Sequence, residues 1–337
     1  MQLSDSTPLC AEAVAHPNIA LIKYWGKAGD LHTNEPAVAS LSITLDTLQT
    51  RTRLTFDAGL ESDTLILNGQ RDERRLPRIS EALDRLRALG NTSLRCEVET
   101  ENNFPTGAGL ASSASGFAAL VVAGNTALGL ELSLREQSML ARAMSGSAAR
   151  SLFGGFARIA LTEALNPPDP TFGSAYAQPI LEASHWPLEV CVAVVSDREK
   201  PVGSTEGMEL SRHTSPYYAP WLEGNNRDIA DAERHVRARD FEALAELSEF
   251  SCLKMHAMAM ASRPGLLYWH GTTVTAMHEI RAMRAEGIPV FFTIDAGPQV
   301  KAICAPGYGD QVAARLEGLP GVQSILRCGL GEGARIV

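Results

Sequence analysis

Asn103-Phe104-Pro105-Thr106-Gly107-Ala108-Gly109-Leu110-Ala111-Ser112-Ser113-Ala114-Ser115-Gly116 runs from a glycine- and serine-rich loop straight into a long apolar segment. Small residues let backbone N–H groups approach an anion. Residues 110–130 read as a helix whose first turn offers unpaired donors and a positive dipole end. The stretch therefore reads as a phosphate cradle, with Ser112 and Ser113 adding hydroxyls for a phosphate or for a metal bound to it. No Lys-Ser or Lys-Thr follows the glycines, as the common phosphate-loop signature requires, and no strand-helix-strand unit surrounds them, as a dinucleotide fingerprint requires. A small-residue helix start is also a plain packing device, and that alternative stands beside the cradle.

Around this stretch, 337 residues leave room for two domains, with the change expected near residues 180–188 and the chain divided into 1–185 and 186–337. Hydrophobic residues at 45% and charged residues at 20% describe a soluble globular protein. Lys and Arg number 30 against 39 Asp and Glu, and the net charge of −9 argues against nucleic acid or an anionic membrane as the main partner. Met1-Gln2-Leu3-Ser4-Asp5-Ser6 carries neither a basic lead nor an apolar core, so no secretory signal is expected there. The apolar run 110–130 is too polar and too broken by glycine for a membrane span. A cytoplasmic enzyme is expected, its six scattered cysteines reduced and in the core.

On the N-terminal side of the loop, residues 13–27 begin as a strand and end in the aromatic, basic Lys23-Tyr24-Trp25-Gly26-Lys27, where Lys23 and Lys27 suit an anionic substrate. Residues 39–56 alternate hydroxyl and apolar side chains, the period of half-buried strands, and predict a hairpin or a long bent pair. A short strand at 65–68 precedes an Asn68-Gly69 turn, a helix at 77–89 stops at Gly90, and a strand at 94–100 delivers the chain to the loop. Beyond it, Ser133-Leu134-Arg135-Glu136 is a capping-box start for a helix over 133–144. That helix runs into a second small-residue loop, Ser145-Gly146-Ser147-Ala148-Ala149-Arg150-Ser151. An arginine among small hydroxyl residues fits a carboxylate or phosphate, because its planar fork donates two parallel hydrogen bonds. A surface arginine after a turn is the plainer alternative.

The second half predicts strands at 188–196, 289–295, 300–304 and 322–327, and helices over 228–261, 272–286 and 310–317. In order these make a ferredoxin-like split unit with additional helix. Residues 195–216 read as a lid or binding loop, or as a solvated connector. Asp295 leaves an apolar strand just before Ala296-Gly297-Pro298, either as a turn cap or as a catalytic carboxylate. Cys252 and His256 lie four residues apart on a helix, but no further ligands stand at metal-site spacing, and core packing is the expectation. No serine-histidine-aspartate order with a nucleophile elbow occurs.

With these pieces placed, the sequence resembles the mevalonate diphosphate decarboxylases of the GHMP small-molecule kinase superfamily. The resemblance covers residues 18–27, 102–120, 145–156, 184–216 and 291–298. Pro105-x-x-x-Gly109-Leu110-x-Ser112-Ser113-Ala114 is similar to the superfamily's phosphate loop; the blocks Asn18 through Lys27 and Ser145 through Ser151 are specific to the decarboxylase branch. The resemblance implies an α+β, two-domain GHMP-kinase-like fold, with an N-terminal ribosomal-protein-S5-domain-2-like domain and a C-terminal ferredoxin-like α/β sandwich. It implies ATP- and Mg²⁺-dependent conversion of (R)-5-diphosphomevalonate to isopentenyl diphosphate, ADP, phosphate and CO₂ through 3-phosphorylation, in the mevalonate pathway, and a homodimer.

By the same resemblance Asp295 accepts or orients the 3-hydroxyl proton, and Arg150, held by Asn18, binds the C1 carboxylate. Tyr24, Lys27, Ser145, Gly146, Ser147 and Ser204, with Lys23, belong to the substrate site. Pro105, Gly107, Ala108, Gly109, Leu110, Ser112 and Ser113 belong to ATP, the two serines also meeting phosphate-bound Mg²⁺. Three departures from the family pattern stand out, of which the first two bear on substrate choice and the third is expected to be neutral. Val38-Ala39 stands where an asparagine and a serine are usual, Thr205 where some members have a basic residue on the diphosphate, and Ala149 where a cysteine is common. A 5-phosphomevalonate decarboxylase, a mevalonate 3-kinase and a non-catalytic binding homologue are the competing expectations.

Overall fold

The computed structural model describes residues 8–29, 33–104, 110–198 and 200–337. The first half runs β1 (Leu9–Ala15), β2 (Asn18–Ile22), β3 (Ser40–Thr44), β4 (Thr50–Asp57), β5 (Thr64–Leu67), β6 (Gln70–Arg71), α1 (Leu76–Gly90), β7 (Arg95–Asn102), α2 (Ser112–Ala127), α3 (Leu134–Met144), α4 (Ala148–Ser151), β8 (Phe156–Ile159) and β9 (Ala177–Leu181). The second runs β10 (Glu189–Val194), α5 (Ser204–Thr214), α6 (Tyr218–Ala238), α7 (Phe241–Met260), α8 (Gly271–Ala285), β11 (Val290–Thr293), β12 (Val300–Cys304), α9 (Gly309–Glu317), β13 (Ser324–Cys328) and β14 (Arg335–Ile336).

Three sheets result, ordered β14-β1-β4-β7-β5-β6, β2-β3-β8-β9 and β11-β12-β10-β13. In the last, β10 pairs antiparallel with both β12 and β13, and β11 with β12, which is the strand order of the split unit expected from the sequence. The final strand β14 returns to pair with β1.

Residues 39–56 do not form a paired hairpin. β3 pairs with β2 and β8, whereas β4 pairs with β1 and β7 in a different sheet. The reason is burial on both faces of β3. One face carries Ser40, Ser42 and Thr44 against α4 and the turn that follows it, and Leu41 and Ile43 meet a core shared with β10, α6 and α7. The hydroxyls that look solvent-facing in the sequence are buried and bonded: Thr44 Oγ1 donates to the Phe153 carbonyl at 2.8 Å, and Ser40 and Ser42 accept from Arg150.

Local signals elsewhere match the structure. Asn68 and Gly69 both take positive φ, 50° and 77°, as a two-residue turn between β5 and β6 demands. Ser133 and Glu136 close the capping box at the start of α3. Within 195–216, Ser204–Thr214 form the helix α5 rather than a loop. It buries only Gly207, Met208 and Ser211, too little apolar periodicity for the pattern to reveal a helix.

Candidate functional site

Where β2, α4, the end of β11 and the N-termini of α2 and α5 converge, they enclose a cleft of about 810 Å³. β2 ends at Ile22, directly before Lys23 and Tyr24, and β11 ends two residues before Asp295, so strand termini from the two halves of the chain meet at the cleft.

Asp295 is held at both oxygens. Lys23 Nζ lies 2.9 Å from Oδ1 and Lys301 Nζ 3.2 Å from Oδ2, with both lysines buried and the carboxylate 27% exposed towards the cleft. Burial alone would raise the carboxyl's pKa, but the two ammonium groups outweigh it and hold it well below the usual carboxylate range. The turn itself is gripped by α7. The Ile294 N–H donates to Cys252 Sγ at 3.3 Å, and His256 Nε2 donates to the Ile294 carbonyl at 3.4 Å. Burial pulls His256 down to about 3, with Lys23 acting in the same direction, so the imidazole is neutral. Cys252 and His256 thus pack beneath the site, as the sequence suggests.

Arg150 lies opposite, on the short α4, and is fully buried. Its fork is spread over neutral acceptors: Nε to Ser42 Oγ at 3.0 Å, one terminal nitrogen to Ser40 Oγ at 2.7 Å, the other to Asn18 Oδ1 at 3.2 Å. Asn18 is fixed in turn by donating to the Ser147 carbonyl and to Ser151 Oγ. Among the described residues no carboxylate reaches ion-pair distance of this guanidinium. Burial pulls it down to about 10, against the opposing pull of Tyr24 and Asp295, which leaves it charged at neutral pH. A buried cation that meets, among the described residues, only neutral acceptors has charge left uncompensated.

Beside it, the Tyr24 hydroxyl is buried and has no hydrogen-bond partner among the described residues. Burial pushes that phenol up to about 12, so it remains a neutral donor. Gly146 is required here, because a Cβ would stand 2.3 Å from the phenol oxygen. Behind Arg150, Asn225 of α6 pairs with both backbone groups of Ala39: it accepts from Ala39 N at 2.6 Å and donates to Ala39 O at 3.0 Å. It serves β3 where β2 has peeled away to deliver Lys23 and Tyr24.

At the other end, Ser112 and Ser113 line the cleft on the first turn of the 16-residue α2, which has neither a side-chain cap nor an acidic residue there. Leu110 is buried and packs in the core. Pro105, Gly107, Ala108 and Gly109 lie outside the described residues. Ser145, Gly146 and Ser147 line the cleft between the two ends. Lys200 donates to Ser204 Oγ at 3.1 Å, and Lys27 reaches Thr205 Oγ1 at 3.5 Å. Burial lowers the pKa of both ammonium groups, helped by Lys301 for Lys200 and by Arg78 for Lys27, as in a site built to receive anionic charge.

Among the described residues there is no group of three or more His, Cys, Asp or Glu set to hold a metal. The serine-lined helix start fits magnesium carried on nucleotide phosphates, an ion that keeps few protein ligands. Lys200 and Arg78 line the cleft, and Lys301 and Ser40 hold its Asp295 and Arg150; sequence reasoning missed all four. Lys301 had a signal, a single lysine within the apolar strand Val300-Lys301-Ala302-Ile303-Cys304.

Residues 15–166 match the sequence model of the diphosphomevalonate decarboxylase-like N-terminal domain, and residues 190–318 that of the mevalonate 5-diphosphate decarboxylase C-terminal domain. The chain is 35% identical to human diphosphomevalonate decarboxylase over 88% of its own length and 77% of the relative's. The chain belongs to the diphosphomevalonate decarboxylase family. The Saccharomyces cerevisiae member is 37% identical, covering 87% of this chain and 77% of the relative. The solved mevalonate diphosphate decarboxylase of Staphylococcus aureus superposes with a TM-score of 0.90 at 36% identity, covering 98% of each chain. An MDDEF complex with MVAPP, AMPPCP and magnesium superposes at 0.89 with 38% identity, covering 98% of this chain and 99% of that one. The α+β, GHMP-kinase-like fold expected from the family's motifs is therefore the fold of this member.

Proposed function

We propose that the protein catalyses the ATP- and Mg²⁺-dependent decarboxylation of (R)-5-diphosphomevalonate to isopentenyl diphosphate, ADP, phosphate and CO₂. The observation that carries this reading is Arg150, buried and matched among the described residues only by neutral groups, across one cleft from an ionised Asp295. The substrate's C1 carboxylate fills the arginine's open side, which brings its 3-hydroxyl towards Asp295. Tyr24, Lys27, Ser145, Gly146, Ser147 and Ser204 receive the diphosphate, and Lys200 and Arg78 extend that charged wall. ATP phosphates meet Ser112, Ser113 and the start of α2, where magnesium supplies charge neutralisation when bound.

Asp295 is a weak base, so its main work is electrostatic. It orients the 3-hydroxyl for phosphoryl transfer and stabilises the positive charge that grows at C3 as phosphate leaves. The C1–C2 bonding pair then becomes the C2–C3 double bond, and CO₂ departs from Arg150. The arginine orients the carboxylate, so the reacting bond lies in line with the leaving group.

With Lys27, Lys200 and Arg78 around the far phosphate, the diphosphate is the preferred substrate even with Thr205 in place of a basic residue. kcat/KM for mevalonate 5-diphosphate is expected to exceed that for the 5-phosphate by about 10²-fold, two charge-assisted hydrogen bonds' worth. Equal or reversed values would give the monophosphate reading its place.

The division into 1–185 and 186–337, the homodimer and the cytoplasmic location belong to the same proposal. The first is supported by the separate split-unit sheet, the last by six unpaired thiols. Among the described residues no helix is long and apolar enough to cross a membrane.

A further inference from the structure

Lys301 cannot reach a substrate. It is wholly buried in β12, between β10 and β11, with Val192 and Thr293 as its register partners. Val300, Ala302 and Cys304 point into the apolar core beneath α8 and α9, while Ile303 on the opposite face joins the core shared with β2. Lys301 occupies that opposite face, and its ammonium lies 3.2 Å from Asp295 Oδ2, while Lys23 from β2 takes Oδ1 at 2.9 Å. An ammonium inside a sheet is costly unless it is matched, so an apolar side chain would serve packing better. Both lysine backbones are themselves fixed, Lys301 within the sheet and Lys23 by an N–H bond to Ser251 Oγ at 3.0 Å.

We propose that Lys301 is a positioning residue for the reaction: with Lys23 it clamps the two oxygens of Asp295 from opposite sides, fixing the carboxylate in one orientation and in its charged form. The proposal rests on the decarboxylase reading above. The other groups that face Asp295 are Lys200 from the segment after β10, Arg150 from α4, and Cys252 and His256 from α7. Lys200 and Arg150 are cations directed at the cleft and at substrate, Cys252 is a buried thiol, and His256 is neutral. The oxygen-by-oxygen hold therefore belongs to Lys23 and Lys301.

The sign of the effect follows. The two lysines depress the carboxyl's pKa, so removing one lets it rise, and protonation begins at a higher pH. The test is the pH profile of kcat for wild type and Lys301→Met at saturating Mg·ATP and mevalonate 5-diphosphate. Expected are a fall in kcat of about 10- to 100-fold at neutral pH, an acid limb displaced upward by at least about one pH unit, and a KM for ATP unchanged within about twofold. The same displacement is read without turnover from the ¹³C carboxylate resonance of Asp295. Lys301→Gln carries both measurements if the methionine variant does not fold. A variant whose acid limb and carboxylate titration superpose on wild type overturns the clamp, because a purely structural lysine would lower thermal stability alone. A wild type that releases no CO₂ instead overturns the reaction assignment.

Discussion

Asp295→Asn is expected to lower turnover by about 10³-fold or more while leaving ATP affinity within about twofold. Asparagine keeps the shape of the side chain and can still accept from one lysine, so the loss isolates the negative charge. That charge orients the 3-hydroxyl and stabilises C3 as phosphate departs, and neither interaction is made to ATP. The substitution also strands Lys23 and Lys301, two buried ammonium groups that would lose their shared carboxylate. Removing one partner of such a pair destabilises by about 3 kcal/mol, so thermal unfolding must be measured beside single-turnover rates. A folded Asp295→Asn variant of near-normal activity would return Asp295 to a turn cap before Gly297-Pro298. Because the two lysines hold the carboxyl well below its usual range, wild-type activity should show no acid limb from Asp295 near neutral pH.

Arg150→Gln is expected to lower kcat by about 10³-fold and to raise KM for mevalonate 5-diphosphate, again with ATP affinity preserved. Arg150→Lys should recover little, about tenfold, because a point charge cannot reach the three acceptors arranged for a fork. Ser42, Ser40 and Asn18 each take a different nitrogen of the guanidinium. A lysine leaves at least one of them buried and unpaired, at about 1–3 kcal/mol. Initial rates with each substrate varied at saturating levels of the other separate the two effects. A glutamine variant with unchanged KM for the isoprenoid substrate and full turnover would contradict carboxylate capture by Arg150.

Local chemistry was legible in the sequence. The capping box at Ser133 and Glu136 and the Asn68-Gly69 turn depend on neighbouring residues, and the structure has them where the pattern puts them; the split-unit sheet of the second half followed from the succession of its strands and helices. Asp295, Arg150 and the serines after the glycine loop stood out because each breaks an apolar or small-residue context. What escaped is set by distant contacts. Lys23 meets Asp295 across 272 residues of sequence, and no spacing rule links them. Ser40 and Ser42 looked like the wet face of a strand. They are buried because α4 covers that face of β3, where Arg150 donates to both hydroxyls, while Leu41 and Ile43 fill the core on the other. Asn225 gave no signal, since its task exists only where β2 leaves β3 short of a partner. The helix Ser204–Thr214 escaped for another reason, burying too few apolar side chains to show a period.

Phosphoryl transfer and decarboxylation are coupled in one cleft if Asp295 and Arg150 stand on opposite sides of the same substrate. The stoichiometry of ADP and ¹⁴CO₂ formed from Mg·ATP and [1-¹⁴C]mevalonate 5-diphosphate in a single reaction tests that coupling. One CO₂ for each ADP is the expected result. ADP formed without CO₂ would identify a kinase that stops at the 3-phosphate, and would contradict the coupled reaction.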